Sequence, residues 1–468
     1  MPLRRALVLM VMIGLAGFFL LQVDRRHPES EADKRILLYP TGHPAPATAK
    51  QLSIDISTDA PTVLVQRDGV WSLNSPVVDE VDQYEVERLV DELSKIRRSA
   101  PIAPDIQPAL AQFGLDPPRA KIELRFADQT LESWGLWLGN DTPVGELLYA
   151  QIVGDSSIVL IDKTVRGRIA KPMIDLRKKR LLDLATTEIQ EVRWTINGHA
   201  ERLTRSDGRW HIGGSDGDWA SRKESQELVD EVATISATAF VDHPSAQLSR
   251  RFASPTALID VTRTNGKSVQ FRLVRDNDQV WAKIDSRPIA VVTDGIIKKL
   301  IKTGVDLLDR TVMPIDRWDI TDVEVSTEQR RFHASRDKAF HWVMTLDGKA
   351  VVMTEDDNRR IDNFFSEWQK LSGEPINLTD DTWKTAGSIN AKGDDDKSFS
   401  IRFGDTSTGS LWFQIEQRKR ALSIPQAAAE PWRTALKNLV FRLPIASNPT
   451  KPVDDDNVGD EDLDESEP

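Results

Sequence analysis

The chain has 468 residues, which at roughly 150 residues per domain predicts about three domains, and its 40% hydrophobic content with 13 Trp and 15 Phe excludes a wholly disordered polypeptide. It has no cysteine, which excludes disulfides, thiol nucleophiles, zinc-thiolate centres and cysteine-ligated iron–sulfur clusters. The net charge of −12 argues against general nucleic-acid binding, yet nine acidic side chains and no basic one lie between Asp454 and Pro468, so the body before them is almost neutral.

The N-terminus carries Arg4 and Arg5, then an uncharged apolar run from Ala6 to Val23. Such a run, about 27 Å long as a helix, matches a bilayer's hydrocarbon thickness. It exceeds the apolar region of a cleaved signal peptide and has small residues within it, not after it. Residues 1–23 are therefore read as an uncleaved signal anchor forming a transmembrane helix. Arg4 and Arg5 favour a cytoplasmic N-terminus and a periplasmic body. Residues 24–50, charged and then rich in Pro and Ala, are read as a stalk.

Three tandem units follow, at 51–185, 186–314 and 315–446. Asp68-Gly69-Val70-Trp71 recurs as Asp207-Gly208-Arg209-Trp210 at an offset of 139, and Leu89-Val90-Asp91-Glu92-Leu93 recurs as Leu228-Val229-Asp230-Glu231-Val232 at the same offset. In the third copy Phe364, Phe365, Trp368 and Leu371 repeat the spacing of Leu89, Val90, Leu93 and Ile96, and Trp342 stands near the place of Trp71 and Trp210.

Each unit opens on an alternating strand, carried by Leu52, Ile54 and Ile56, by Val192, Trp194 and Ile196, and by Val323 and Val325. An Asp-Gly hairpin and an amphipathic helix come next, the third helix beginning at the N-cap Thr354 before Glu355, Asp356 and Asp357. Strands follow at 120–126, 134–138, 147–153 and 158–161; at 258–262, 269–273, 280–284 and 289–292; and at 399–403, 411–415 and 421–424. A closing helix is expected at 165–176, 296–308 and 431–440. The phrases Arg180-Leu181-Leu182, Arg310-Thr311-Val312 and Arg442-Leu443-Pro444 end the copies, and Arg35-Ile36-Leu37-Leu38 precedes the first. Short turns between strands imply antiparallel pairing. The fold class is α+β: an N-terminal transmembrane helix, then three mainly antiparallel sheets with two helices each. Residues 447–468 form an acidic tail whose like charges oppose collapse.

Catalytic constellations are sparse. There is no G-x-x-x-x-G-K-[ST] or H-E-x-x-H sequence. His27, His43, His199, His211, His243, His333 and His341 are scattered, although His333 and His341 are placed to face each other across a hairpin. Asp394-Asp395-Asp396 reads as a solvated loop, and Asp454, Asp456, Gly459 and Glu465 match a calcium loop that Val458 interrupts. Trp71, Trp210 and Trp342 read as core residues, with a sugar-binding face as the alternative. Phe113-Gly114-Leu115-Asp116-Pro117-Pro118 reads as a rigid turn, and Arg251-Phe252-Ala253-Ser254-Pro255 takes its place in the second copy without the Asp. No catalytic, cofactor-binding or metal residue is assigned, and no cofactor is expected.

The order of Arg35-Ile36-Leu37-Leu38-Tyr39-Pro40, the Asp-Gly-x-Trp hairpin, Phe113 to Pro118, Leu148-Tyr149-Ala150, Val159-Leu160-Ile161-Asp162 and Leu176-Arg177-Lys178-Lys179-Arg180-Leu181-Leu182 resembles the bacterial family called domain of unknown function 4340 over about residues 35–185. The third copy lacks an equivalent of Phe113 to Pro118. The resemblance implies a membrane-anchored envelope protein encoded beside ABC-type transport components of the kind linked to gliding motility, and it supplies no site residues. The expected function is thus a single-pass inner-membrane accessory or scaffold protein, non-enzymatic, whose partners are the membrane and an ABC-type permease or related envelope subunits. The alternatives are an envelope glycan- or peptide-binding module and a carboxylate-dependent hydrolase.

Overall fold

The computed structural model describes residues 36–441, except 57–59, 103–109, 128–132, 286, 378–383 and 395–396. The apolar run 6–23, the acidic tail and the phrase at Arg442 lie outside the described residues. Among the described residues no helix is long and apolar enough to cross a membrane.

The first copy runs β1 (Ile36–Leu37), β2 (Gln51–Ile56), β3 (Thr62–Arg67), β4 (Val70–Ser75), β5 (Asp79–Glu80), α1 (Gln83–Lys95), β6 (Arg97–Arg98), β7 (Ala120–Arg125), β8 (Trp134–Asp141), β9 (Leu147–Ile152), β10 (Ile158–Asp162), α2 (Thr164–Ile169) and α3 (Met173–Leu176). The second runs β11 (Ile189–Ile196), β12 (His199–Ser206), β13 (Arg209–Ile212), β14 (Asp218–Trp219), α4 (Arg222–Thr234), β15 (Ala239–Val241), α5 (Ala246–Arg251), β16 (Ala257–Arg263), β17 (Ser268–Asp276), β18 (Gln279–Ile284), β19 (Ile289–Val292) and α6 (Gly295–Leu300). The third runs β20 (Ile320–Thr327), β21 (Arg331–Arg336), β22 (Trp342–Leu346), β23 (Lys349–Val351), α7 (Glu355–Gln369), β24 (Glu374–Ile376), β25 (Lys384–Gly393), β26 (Ser398–Asp405), β27 (Leu411–Ile415), β28 (Ala421–Ile424) and α8 (Gln426–Phe441). The described strands form three sheets, of ten, nine and nine strands. The α+β class with mainly antiparallel sheets therefore stands.

By contact density the chain forms two compact units. One holds the described residues through Leu184 with Val232–Leu258 and Val269–Ile296. Its ten-stranded sheet has the order β1-β6-β10-β9-β8-β7-β2-β3-β4-β5. Leu52 and Ile54 of β2, Leu136 and Leu138 of β8, and Leu89 and Leu93 of α1 share its core. The other unit holds Ala185–Glu231, Ile259–Ser268 and the chain from Ile297. Its nine-stranded sheet has the order β23-β22-β21-β20-β25-β26-β27-β28-β24, and α7 and α8 pack Phe364, Trp368 and Trp432 into the same core.

Local chemistry explains the elements that the sequence predicts. Asp68 and Gly69, with φ of 51° and 83°, and Asp207 and Gly208, with φ of 52° and 74°, form tight turns with the left-handed backbone that Asp-Gly tolerates. The Thr354 hydroxyl accepts the Asp357 N–H at 3.2 Å, and the Asp357 carboxylate accepts the Thr354 N–H at 3.1 Å, a reciprocal cap for α7. Thr354→Ala is expected to cost about 1 kcal/mol, read as a lower urea midpoint.

Several expectations are corrected. The helix expected at 165–176 is two short helices, because Pro172 cannot continue α2. The helix expected at 296–308 ends at Leu300. The last one begins at Gln426, before Pro431. The first two copies accordingly carry three helices each, not two. Residues 36–50 are no stalk: β1 pairs with β6, and Leu38, Tyr39 and Ala49 are buried in the first core.

The phrases at Arg180 and Arg310, assigned to the ends of the first two copies, open the copies that follow. The Leu38 N–H donates to the Ile96 carbonyl, and the Leu181 N–H donates to the Ile235 carbonyl, so both phrases lie beside the strand that follows an amphipathic helix. Arg310 and Thr311 lie against Ser372 and Gly373 in the same way.

Candidate functional site

The residues singled out for chemistry are not brought together. His333 sits opposite Thr345 and bonds Asp322 at 2.8 Å, whereas His341 is on the turn before β22, so the two do not face each other. Asp394 donates its N–H to the Asp319 carbonyl, and Asp395 and Asp396 lie outside the described residues, as do His27 and the calcium-like tail. Asp116 is exposed. Its neighbours explain the motif: a Cβ at Gly114 would lie 2.4 Å from Asn140 Oδ1, and one at Gly139 would lie 2.2 Å from the Phe113 carbonyl. The motif is a turn where two chain segments touch. Trp71, Trp210 and Trp342 are 3%, 8% and 7% exposed, so their rings pack in the interior and offer no sugar-stacking face. Among the described residues no three His, Asp or Glu side chains are grouped to hold a metal ion.

The polar chemistry concentrates at the junctions between copies. At the first, the connecting chain is shared. The Lys178 N–H donates to the Glu80 carbonyl of β5, and three residues later the Leu181 N–H donates to Ile235 of the next copy. The edge of β5 and the start of the second copy are thereby joined by one extended segment. At the second junction the Asp309 N–H donates to the Trp219 carbonyl, and the Gly373 N–H donates to Arg310. This satisfies backbone groups that edge strands would leave open.

An arginine fixes each junction, and it comes from the same turn of the downstream copy. Arg287, between β18 and β19, donates from Nε to Asp79 at 3.1 Å, and from its terminal nitrogens to the Lys178 carbonyl at 2.7 Å and the Arg180 carbonyl at 3.2 Å. Arg418, between β27 and β28, donates from Nε to Asp218 at 3.1 Å, to the Asp309 carbonyl at 2.5 Å and to the Thr311 carbonyl at 3.5 Å. Asp79 and Asp218 are equivalent, since Leu73 pairs with Asp79 and Ile212 with Asp218. The first junction adds Arg177, buried, bonded to Asp79 and Asp242 at 2.8 Å each and lying 3.6 Å over the Phe240 ring. Sequence reading missed these groups because the arginines sit in turns, which have no periodic signature.

Beside the first junction lies a cleft of about 1180 Å³. Val70, Trp71, Glu80, Gln83, Lys171 and Lys178 are among its lining residues. Gln83 closes the free edge of β4 by bonding both the N–H and the carbonyl of Trp71, at 2.9 and 2.7 Å. Several of the charges in the cleft are paired: Lys171 with Glu85, Lys178 with Glu80 and Asp183, and Lys179 with Asp175. The hydrogen bond from Lys171 holds the Glu85 carboxyl below its usual pKa. These groups can recognise a ligand, but the cleft contains no nucleophile–base pair.

Residues 71–251 match the family described as "Domain of unknown function (DUF4340)". The matched stretch crosses the first junction. No curated protein matches the chain. Among solved structures, the DNA polymerase sliding clamp from Pseudomonas aeruginosa with ligand has a TM-score of 0.18 and 8% identity over 82% of this chain and 92% of its own. The DNA polymerase III subunit beta from the same organism has a TM-score of 0.17 and 8% identity over 81% of this chain and 92% of its own. Similarity at that level carries no argument.

Proposed function

We propose that this chain, whose residues 71–251 match a domain family of unknown function, is a non-enzymatic scaffold, held at the bacterial inner membrane by residues 6–23 with its body in the periplasm, and accessory to an ABC-type transport system. The observation that carries the scaffold part is the repeated junction. Asp79 with Arg287, and Asp218 with Arg418, fix neighbouring copies through equivalent atoms, a use of buried charge suited to holding geometry. The apolar run supports the anchor, and the family resemblance supports the transport context.

The test is affinity purification of the full chain from membranes in mild detergent. Co-purification of permease or ATPase subunits is the expected result. Recovery of the chain alone under conditions that preserve known envelope complexes counts against the transport role. In spheroplasts, external protease is expected to degrade the body, and its protection would overturn the orientation. The peptide-binding reading retains one favourable feature, the open cleft at the first junction.

A further inference from the structure

In the first two copies the edge strand is closed by the chain that leaves the same copy. In the first the Asp82 N–H donates to the Leu176 carbonyl at 2.9 Å, and the Lys178 N–H donates to the Glu80 carbonyl at 3.1 Å. In the second the Ser221 N–H donates to the Leu307 carbonyl at 2.7 Å, and the Asp309 N–H donates to the Trp219 carbonyl at 2.9 Å. The residue between, Arg177 or Leu308, lies opposite Val81 or Ala220 and turns its own N–H back to the Met173 or Val305 carbonyl. In both copies, then, the N–H that closes the edge belongs to the second residue after a buried leucine.

The third copy presents the same edge uncovered. Val351 pairs with Met344 as Asp79 pairs with Leu73, and three residues on, in each copy, stands the residue that caps the next helix: Asp82, Ser221 and Thr354. Val352 therefore corresponds to Glu80 and Trp219. It is 73% exposed, Val343 of β22 is 51% exposed, and no described residue bonds the Val352 carbonyl. The Thr354 N–H is held by Asp357, so Val352 carries the group left open. Every neighbouring pair from β23 across to β28 is antiparallel, so these two strands point opposite ways and α7 and α8 start from opposite ends of the sheet. The first half of α8 meets the second half of α7 around Asn363 and Glu367, and α8 ends beside the start of α7. The chain continues from there as Arg442-Leu443-Pro444-Ile445-Ala446, which lies outside the described residues.

We infer that residues 442–446 are the occupant of this edge, with the Ile445 N–H donating to the Val352 carbonyl. Leu443 then takes the place of Leu176 and Leu307. Pro444 takes that of Arg177 and Leu308, which send no N–H to the edge, so the donor that proline lacks is not missed. Polarity selects the same segment. The edge offers Val343 and Val352, and the segment brings Leu443, Pro444, Ile445 and Ala446, so apolar surface meets apolar surface. An edge closed in this way is no template for a second chain. The inference rests on the repeated closure alone and stands apart from the transport role.

The chain has no cysteine, so an introduced pair supplies the only thiols. The experiment uses the full chain in detergent with Val352→Cys and Ile445→Cys. Opposed residues of a bonded antiparallel pair lie about 5.5 Å apart, within disulfide reach. Under gentle oxidation a link within one chain is expected to form at least about ten-fold faster than in the control pair Glu374→Cys, Ile445→Cys, since Glu374 is on β24 at the other edge of the sheet. Non-reducing gels and peptide mass spectrometry identify the link. A rate equal to the control overturns the inference, and a link between two chains overturns it in favour of a second copy on the edge. If the thiol variants do not fold, hydrogen exchange of the wild-type chain decides. The Ile445 amide is expected to exchange at least about ten-fold more slowly than in the free peptide 440–448, and Val343→Asp with Val352→Asp is expected to remove most of that protection. Exchange at the peptide rate, or unchanged protection in the double variant, refutes the site.

Discussion

Arg418→Ala is expected to destabilise the protein by about 3–5 kcal/mol, the cost of breaking a buried ion pair from one side. The Arg418 side chain has no solvent exposure, and the Asp218 carboxylate it pairs with is 6% exposed. Truncation leaves that carboxylate in the interior and removes the donor to the Asp309 and Thr311 carbonyls. Arg287→Ala is expected to cost less, about 1–3 kcal/mol, because Asp79 keeps its bond to Arg177. Urea denaturation of the two variants checks the order, and equal losses would refute the distinct wiring of the two junctions. A surface pair such as Lys370 with Glu367 provides the baseline, at about 0–1 kcal/mol.

The junctions are directional, and the end copies show it. Each receives an aspartate from the upstream copy and an arginine from the downstream one. In the third copy the position of Asp79 and Asp218 is Val351, which pairs with Met344 as Asp79 pairs with Leu73. In the first copy the turn between β9 and β10 reads Val153-Gly154-Asp155-Ser156-Ser157, without an arginine. The upstream end lacks the donor and the downstream end lacks the acceptor. Within the described repeats, the polar groups of the staple occur where a neighbouring copy uses them.

That logic was half legible in the sequence. The offset of 139 carries Asp79 onto Asp218 along with the Asp-Gly turn and the Trp. Arg287 and Arg418 share an offset of 131, since the strands between have different lengths, and an arginine in a turn resembles any surface arginine. Strands with strict alternation, such as β2 and β20, were readable because one face is buried. β25 was not: Lys384–Gly393 is mostly small and polar, and only Ile389 and Ala391 among its apolar residues are buried. It is nonetheless a central strand, held by β20 and β26 on its two sides. The role of the Arg-Leu-Leu phrase escaped because pairing with 235–237 is a long-range fact that no local pattern encodes.

Trp368→Ala is expected to cost about 3–5 kcal/mol, the range for an emptied aromatic site in a core. The ring is fully buried, with centroids 5.7 Å from Phe364, 6.4 Å from Phe365 and 6.1 Å from Phe399. Its equivalents in the first two copies are Leu93 and Val232, which are also buried. The same helix position thus holds an aliphatic side chain twice and an indole once, and the third core is correspondingly aromatic, with Trp342 stacked on Phe365 at 5.4 Å. Trp368→Leu restores the residue of the first copy but not its neighbours. It refills part of the void, so it is expected to lose less than the alanine variant and more than Leu93→Ile, a swap that conserves volume and costs under about 1.5 kcal/mol. Denaturant midpoints of the three variants give the test. If Trp368→Leu proves neutral, the third copy tolerates the aliphatic core of the others, and its aromatic residues are not what fixes its packing.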